Sequence, residues 1–315
     1  MWVSEQPIDL SIAIYLSRTG KLWLRMLLPR GVRACLNQLD NLLVSDFTFQ
    51  SKGSRTLIVS FAGMTGLRRT FATLKQRVGL EVRPFEFVHS LKDRDCDVLF
   101  LRDRHRAYYH SGVRGVGKNV DDVACFLNDF MSKRGYDLVV TLGHSMGGYA
   151  SILFASKINA DVCVAISAPT FLDSENRMKY NDERYAHEKR KLYESKPESF
   201  RYLDLRSYFL SNERSENKKN CVYRLFYGDS DRLDKIHATR MVGIDQPIHI
   251  FEVIGGDHNA ARTMRDSGLL FRLCDSILSI NSREHANTLL RTIESDHSIR
   301  RSLSPRWSAH SAEMT

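Results

Sequence analysis

The chain has 315 residues, of which 43% are hydrophobic and 26% charged, and its formal net charge is +9. This length and balance are typical of a globular protein built around one large domain, and they exclude an intrinsically disordered chain. No apolar run approaches the roughly 20 residues that cross a bilayer, so membrane insertion is not expected.

The first elements predicted along the chain form a hairpin. Residues 8–16 alternate between apolar and polar side chains, which is the period of a half-buried strand. The turn residues SRTG and a second apolar segment, KLWLRMLL, follow. We therefore predict an N-terminal antiparallel hairpin and a short helix within residues 1–50, joined to the main sheet. The first residues do not resemble a secretory signal, which favours a cytoplasmic location.

Residues 51–290 are predicted to form an α/β domain. Their short apolar runs are uninterrupted by polar positions and alternate with helical patterns, which indicates a mostly parallel central sheet with helices on both faces. Ligands of such sheets bind beyond the carboxyl ends of the strands. The apolar runs are TLIVSFAG (56–63), DVLFL (97–101), DLVVTLG (137–143), DVCVAIS (161–167), VYRLFYG (222–228) and PIHIFEVIGG.

Two segments depart from this alternation. Residues 172–218 carry 11 basic and 10 acidic residues between two predicted core strands, so we predict a polar insertion, or cap. An interfacial lipase lid would present an apolar face instead. The Ser/Arg-rich tail, residues 291–315, has no periodicity and is predicted to be flexible.

The stretch Gly143-His144-Ser145-Met146-Gly147 fits the pattern G-x-S-x-G between a predicted strand and a predicted helix. A sharp strand-to-helix turn of this kind strains the central residue, and glycines two positions away leave room for the crossing backbone. This context predicts that Ser145 is a nucleophile. The alternative is a small residue in an ordinary glycine-rich loop.

A serine hydroxyl needs a base to take its proton and a carboxylate to orient that base. His258 follows the run FEVIGG, and Asp229 and Asp231 follow VYRLFYG, so both candidate groups lie in loops after predicted core strands. The chain order is serine, acid, histidine, as in a nucleophile-elbow architecture. The motifs GHSMGG, YGDSD and GGDHN resemble those of serine hydrolases of the α/β-hydrolase superfamily, over about residues 50–280.

The resemblance implies an α/β-hydrolase fold and a Ser145-His258-Asp triad that needs no metal and no organic cofactor. Similar enzymes usually place the acid three residues after the glycine that closes the penultimate strand, which selects Asp231. Asp229 is the alternative, and Asp234 is predicted to lie on the following helix.

The oxyanion hole requires two backbone N–H groups aimed at the developing negative charge. Met146, directly after the candidate nucleophile, is expected to supply one of them. The resemblance implies that the loop after an early strand supplies the second, for which Met64 is our first choice and Gly63 the next. Similar enzymes often carry a His-Gly pair here, whereas this chain has Ala62-Gly63-Met64.

Most of the positive charge lies in residues 52–118, which hold 14 Lys/Arg against 6 Asp/Glu. Arg68, Arg102 and Arg104 follow predicted strands at the edge where ligands bind, so we hypothesise an anionic or highly polar substrate such as an acidic glycan or a phosphorylated ester. The alternative is a set of solvated arginines. Tyr109 and His110 either line the same pocket or pack at its rim. No aromatic-interleaved basic motif is present, so nucleic acid is not an expected partner.

These observations predict a carboxylesterase or deacylase that cleaves an ester of a polar, water-soluble small molecule or glycan. Acyl transfer and peptide cleavage are alternatives with the same triad, and a binding protein could keep the fold without activity. A nucleotide-binding protein is a further alternative, because residues 112–119 match the phosphate-binding pattern GxxxxGK. That match ends in Asn119, where serine or threonine would reach magnesium.

Overall fold

A computed structural model describes residues 46–64, 85–193, 197–211, 221–278 and 296–303. Its strands coincide with the apolar runs of the sequence, in which β-branched and aromatic residues favour extended backbone. The eight strands are β1 (Phe47–Gln50), β2 (Thr56–Phe61), β3 (Asp97–Leu101), β4 (Leu138–His144), β5 (Val162–Ile166), β6 (Val222–Gly228), β7 (Ile248–Val253) and β8 (Ile299–Leu303).

The strands form one sheet in the order β1-β3-β2-β4-β5-β6-β7-β8. All neighbouring pairs from β3 to β7 are parallel, whereas β1 and β8 pair antiparallel with β3 and β7 at the two edges. The predicted mostly parallel α/β sheet is therefore confirmed. Because β2, β4, β5, β6 and β7 run in the same direction, the loops after them meet at one edge of the sheet.

Helices cover both faces of the sheet, as the apolar strands require. Successive residues of β2 illustrate the alternation, since Leu57 and Val59 belong to the apolar cluster on one face and Ile58 to the cluster on the other. The helices are α1 (Val88–Leu91), α2 (Val120–Ser132), α3 (Met146–Lys157), α4 (Ser174–Tyr180), α5 (Ala186–Tyr193), α6 (Leu205–Leu210), α7 (Arg232–Thr239), α8 (Ala260–Asp266) and α9 (Leu269–Leu278), with a 3-10 helix at Pro197–Tyr202.

The segment predicted as a polar insertion, residues 172–218, leaves the sheet after β5 and returns to it at β6. Its described parts contain α4, α5, the 3-10 helix and α6. The insertion packs onto the main core through buried apolar side chains, among them Leu192, Leu205 and Phe209. The insertion is thus a packed layer of short helices in the parts that the structure describes.

The two ends of the chain differ from the sequence-based expectations. The hairpin predicted within residues 8–28 lies outside the described residues, and the antiparallel strand observed at that edge is β1. The prediction of a flexible tail is wrong for residues 299–303, which form β8 against β7. The buried side chain of Ile299 anchors this strand in the core cluster that also contains Phe251 and Val253. The domain boundaries at residues 50 and 290 stay a prediction.

Within the described parts of the chain, none of the helices combines the length and the apolar character that spanning a bilayer would require.

Candidate active site

The turn that carries Ser145 joins β4 directly to α3. Ser145 has φ 54° and ψ −120°, a strained conformation for a residue with a side chain. Its N–H donates to the carbonyl of Ile166 at the end of β5, which fixes the turn against the neighbouring strand. A Cβ at Gly143 would clash with the carbonyl of Gly147, and a Cβ at Gly147 would clash with the carbonyl of Phe61. The glycines of the motif are therefore required by the close approach of backbone.

Ser145 and His258 meet at the carboxyl edge of the sheet, as predicted. The Oγ of Ser145 lies 3.0 Å from Nε2 of His258, which follows β7. The other ring nitrogen, Nδ1, lies 2.8 Å from Oδ2 of Asp234 in the first turn of α7. A carboxylate can only accept here, so Nδ1 carries a proton and Nε2 is free to accept the proton of the serine hydroxyl. This is the connectivity of a Ser-His-Asp triad.

The residue against the histidine is Asp234, whereas the sequence analysis selected Asp231. Asp231 is the N-cap of α7, and its Oδ1 accepts the N–H of Asp234 at 2.9 Å, so its carboxylate is occupied in starting the helix. Asp229 is exposed in the preceding turn. Asp234 does lie on the helix, as expected, but in the turn that faces His258. The spacing of the two carboxylates in DRLD resembles that of a capping box, and this spacing was the available signal.

Asp234 is buried, with 1% of its side chain exposed. Burial alone would raise the pKa of this carboxyl, but the hydrogen bond and charge of His258 and the positive charge of Arg184 outweigh it and lower the pKa to about 2. Asp234 is therefore ionised at neutral pH. Arg184 comes from the insertion, and its Nη1 lies 2.7 Å from Oδ1 of Asp234.

The same corner brings together groups that can ligate metals. Single ligand atoms of Asp231, Asp234 and His258 lie within 4.8 Å of one another. The guanidinium of Arg184 already pairs with the carboxylates of Asp234 and Asp231, since its Nη1 also lies 3.5 Å from Oδ2 of Asp231. A metal ion would have to displace this guanidinium, so the geometry fits the orientation of an imidazole better than a metal centre.

The candidate oxyanion loop passes directly beside the serine turn. A Cβ at Gly63 would lie 2.7 Å from the carbonyl oxygen of His144, which places residues 62–64 against the turn. The N–H of Gly63 donates to Oε2 of Glu86 at 2.9 Å, so Gly63 is not the expected second donor. Met64 is buried next to it, and Met146 occupies the first position of α3, where an N–H has no acceptor within the helix. These two N–H groups remain the predicted donors.

These observations together decide the architecture. A parallel sheet with an antiparallel strand at its N-terminal edge presents a strained serine between β4 and α3, with the acid after β6 and the histidine after β7. The chain has an α/β-hydrolase fold. The fold implied by the sequence motifs is thereby confirmed.

Comparison with known proteins gave distant likenesses among solved structures. No protein-family model matches the sequence, and no curated protein matches it. Among solved structures, S-formylglutathione hydrolase from Staphylococcus aureus is 19% identical, with a TM-score of 0.45 over 73% of this chain and 86% of that one. The capsule O-acetyltransferase of Neisseria meningitidis serogroup A is 12% identical, with a TM-score of 0.46 over 73% and 92%. An alpha/beta hydrolase from a sediment metagenome is 16% identical, with a TM-score of 0.43 over 72% and 94%. These likenesses do not identify a substrate.

A second histidine, His144 at the end of β4, contacts the loop that carries His258. Nε2 of His144 donates to the backbone carbonyl of His258 at 2.8 Å, and Nδ1 of His144 lies 3.8 Å from Oε1 of Glu86. Burial opposes protonation of His144, but the hydrogen bond and charge of Glu86 outweigh it and raise the pKa of the ring. Glu86 therefore links the Gly63 loop to the loop of His258. No sequence motif indicates this pair, because residue 86 lies outside all of them.

The arginines proposed to bind substrate have structural partners instead. Nε of Arg102 lies 2.7 Å from Oδ1 of Asp46, and Nε of Arg104 lies 3.2 Å from the same oxygen. Arg102 and Asp46 are both buried, and they tie the end of β3 to the residue before β1. The placement of Arg102 in a substrate pocket is therefore wrong, whereas a substrate-binding role for the partly exposed Arg104 stays a prediction. Arg68 lies outside the described residues.

Tyr109 and His110 are core residues rather than pocket residues. The hydroxyl of Tyr109 donates to the carbonyl of Ala62 at 2.9 Å, and its side chain is fully buried. The ring of His110 stacks on Tyr149, and Nε2 lies 2.8 Å from the Tyr149 hydroxyl. Burial lowers the pKa of His110 to about 3, so the ring is neutral. Both side chains stabilise the segment between β3 and α2.

The glycine-rich stretch at residues 112–119 forms a closed turn. Val113 and Gly117 exchange backbone hydrogen bonds, and the side chain of Asn119 caps α2 by accepting the N–H of Asp122. The carboxylate of Asp122 in turn accepts the N–H of Lys118. An aspartate therefore occupies the place where a phosphate-binding loop would hold a phosphate. This geometry opposes the nucleotide-binding alternative.

Proposed function

We propose that the protein is a serine hydrolase that cleaves a carboxylic ester through an acyl-enzyme. The observation that carries this proposal is the continuous hydrogen-bonded chain from Ser145 through His258 to Asp234, with distances of 3.0 and 2.8 Å. The strained elbow conformation of Ser145 supports it independently, since such strain persists where a site requires it.

The proposed reaction begins when Nε2 of His258 takes the Ser145 proton and Oγ attacks the ester carbonyl carbon. The resulting oxyanion accepts hydrogen bonds from the N–H groups of Met146 and Met64. The imidazolium then gives its proton to the leaving alcohol as the C–O bond breaks, which leaves Ser145 acylated. Water then attacks the acyl carbonyl carbon while His258 takes its proton. The imidazolium returns this proton to Oγ as the bond to Ser145 breaks and the acid is released. Asp234 holds the imidazole and stabilises its charged form throughout.

The substrate that we propose is polar and water-soluble. The composition of the insertion supports this, because its 11 basic and 10 acidic residues are unlike the apolar face of an interfacial lid. Tyr185, next to Arg184, places its ring 6.1 Å from that of His258 and gives the site one aromatic wall. The surplus of basic residues between 52 and 118 supports an anionic group on this substrate.

The test is labelling of the full chain with a fluorophosphonate probe, which phosphonylates activated serines. We expect the wild type to be labelled at Ser145 and the Ser145→Ala variant to be unlabelled. Ser132→Ala is the matched control, because Ser132 is an exposed serine at the end of α2 whose hydroxyl donates to the carbonyl of Asp129 in the same helix, so its loss should leave labelling intact. A wild type that does not react would favour a binding protein with this fold.

A panel of esters that varies acyl length and charge then defines the reaction. Release of free acid in water supports hydrolysis, whereas product that appears only with an added alcohol or amine acceptor would assign acyl transfer. Cleavage of peptides but not of esters would assign a peptidase. Faster turnover of anionic than of neutral esters would support the anionic substrate class.

A further inference from the structure

One side chain of the insertion reaches the triad acid. Arg184 lies between α4 and α5, and its Nη1 contacts Oδ1 of Asp234 at 2.7 Å while Nε contacts Oδ1 of Asp182 at 3.0 Å. The other oxygen of Asp234, Oδ2, faces His258. Each oxygen of the triad carboxylate therefore has one charged or polar partner, and only one of these partners belongs to the triad.

A buried network fixes the position of Arg184. Asp182 is fully buried, and its Oδ2 lies 3.0 Å from Nζ of Lys189 and 3.2 Å from Nε2 of His237. The N–H of Thr170 donates to Nδ1 of His237, so Nε2 carries the proton and donates to Asp182. His237 is on α7, the helix that also carries Asp234. The insertion is thus joined to the helix of the triad acid at two points.

The buried charges of this network are paired, and Asp231, 3.5 Å from Arg184, adds one more carboxylate at its edge. Asp182 and Asp234 are negative, Arg184 and Lys189 are positive, and burial lowers the pKa of His237 to about 4, which leaves that ring neutral. Buried charges are tolerated when they are paired in this way, and removing one member leaves another uncompensated. Arg184 is the member shared between the insertion and the triad.

We propose that Arg184 is a positioning residue that holds Asp234 in line with His258 only while the insertion is packed on α7. This inference rests on the proposed function. The guanidinium fork bridges Asp182 and Asp234, and a planar fork restricts the orientation of a carboxylate more than a point charge does. Loss of the bridge would let the carboxylate turn from the imidazole and would remove a cation from beside it. The triad is therefore active only when the insertion is packed on α7.

The groups that face Asp234 come from every element around it. They are Arg184 and Asp182 of the insertion, Asp231 at the start of α7 and His258 after β7. His144 at the end of β4 also interacts electrostatically with Asp234. Arg184 is the permanent cation of this set. Its replacement should therefore change the protonation of Asp234 as well as its orientation.

The test compares Arg184→Gln and Arg184→Lys with a matched control, Arg240→Gln. Arg240 follows α7 and pairs with Asp204 of the insertion at 2.8 Å, so its loss weakens the same interface without touching the triad. We expect Arg184→Gln to slow fluorophosphonate labelling of Ser145 by about 10- to 100-fold, as small misplacements of a reacting group do. Arg184→Lys should recover part of the rate, and Arg240→Gln should stay within about threefold of the wild type.

A second readout does not depend on activity. With 13C-labelled aspartate carboxyls in the full chain, and Asp234 assigned by its loss in Asp234→Asn, NMR titration should place the pKa of Asp234 about one unit or more higher in Arg184→Gln. A purely structural role would leave this titration unchanged in a folded variant. The proposal is overturned if Arg184→Gln titrates like the wild type, or if it labels no more slowly than Arg240→Gln. Failure of the wild type to label at all would instead reject the proposed function.

Discussion

The carboxylate of Glu86 lies 3.8 Å from Nδ1 of His144, the residue that precedes the candidate nucleophile. The same carboxylate accepts the N–H of Gly63 at 2.9 Å, and His144 donates to the backbone of His258. One acidic group outside all sequence motifs therefore connects the loops on both sides of Ser145.

Replacing Glu86 by glutamine should loosen this connection. The amide still offers Gly63 an acceptor, but the charge that raises the pKa of His144 is lost. A raised pKa contributes stability that is fully present below the unfolded value of about 6.5 and disappears as the pH rises through the folded value. We therefore expect the variant to be less stable than the wild type by about 1 kcal/mol at pH 6 and nearly equal to it at high pH.

Urea unfolding across this pH range measures the difference for Glu86→Gln. The matched control is Glu252→Gln, since Glu252 is a similarly half-buried carboxylate that accepts a hydrogen bond from Tyr227 away from Ser145. A stability gap for Glu86→Gln that widens as the pH rises would contradict the assignment. Labelling of Ser145 should slow by roughly tenfold in Glu86→Gln and not in the control.

The triad acid can be identified by two substitutions on one helix. Asp234→Asn should slow labelling of Ser145 by about 10⁴-fold, because asparagine no longer favours the productive tautomer of His258. Asp231→Asn should change the rate by only a few-fold, since asparagine caps a helix as well as aspartate does. Labelling rates of the two folded variants decide the matter. A larger loss in Asp231→Asn would return the role to the residue that the sequence selected.

The sequence predicted the features that depend on local pattern. The apolar runs predicted the parallel sheet, and the glycine spacing around Ser145 with the strand before it predicted the sharp turn, because such turns require glycine at those positions. His258 was expected near Ser145 since it lies in the loop after a core strand, and its Nε2 is 3.0 Å from the Ser145 Oγ. These signals lie within a few residues of the groups that they position.

The features that were missed depend on contacts between distant segments. The choice between Asp231 and Asp234 depends on where α7 begins, which a loop pattern does not reveal. The partner of Arg102 is 56 positions away at Asp46, and a local surplus of arginine gives no information about such partners. Arg184 reaches the site only because the insertion folds back onto α7. The local surplus of arginine therefore misplaced Arg102, whose guanidinium pairs with Asp46.

The elbow glycine Gly147 should tolerate no side chain. A Cβ there would clash with the backbone carbonyl of Phe61, which cannot move without disrupting β2. We expect Gly147→Ala to lose about 2–4 kcal/mol of unfolding free energy and most labelling of Ser145. The control is Gly255→Ala, where a Cβ meets open space but φ is +69°, so the loss should be only about 1–2 kcal/mol. Equal losses in the two variants, measured by urea unfolding, would contradict a close approach at the elbow.

Strong acid should weaken the fold through Asp234 and Asp182. Both carboxyls are buried, yet their charged partners outweigh burial and lower their pKa values, for Asp234 from 3.8 to about 2. A lowered pKa contributes stability that is present above the unfolded value and is lost as the pH falls through the folded value. Between about pH 4 and pH 2 we therefore expect Asp234 to account for about 2 kcal/mol of lost stability. In Asp234→Asn, the free energy of unfolding measured by urea should fall less steeply with pH in this window. An unchanged pH dependence would contradict an ionised Asp234.

Mild acid should weaken the fold earlier, through buried histidines. Burial lowers the pKa of His237 to about 4 and that of His110 to about 3, whereas both rings titrate near 6.5 in the unfolded chain. As the pH falls from about 6.5 to 4 the unfolded state therefore binds protons that the folded state does not, and the free energy of unfolding should drop by a few kcal/mol. His110→Gln should reduce this slope from about pH 6.5 down to about pH 3, and it should leave the contribution of Asp234 unchanged because His110 contacts Tyr149 and none of the triad groups. Constant stability between pH 7 and pH 4.5 would mean that these rings are protonated in the folded protein, and the neutral ring inferred for His237 beside Asp182 would then be wrong.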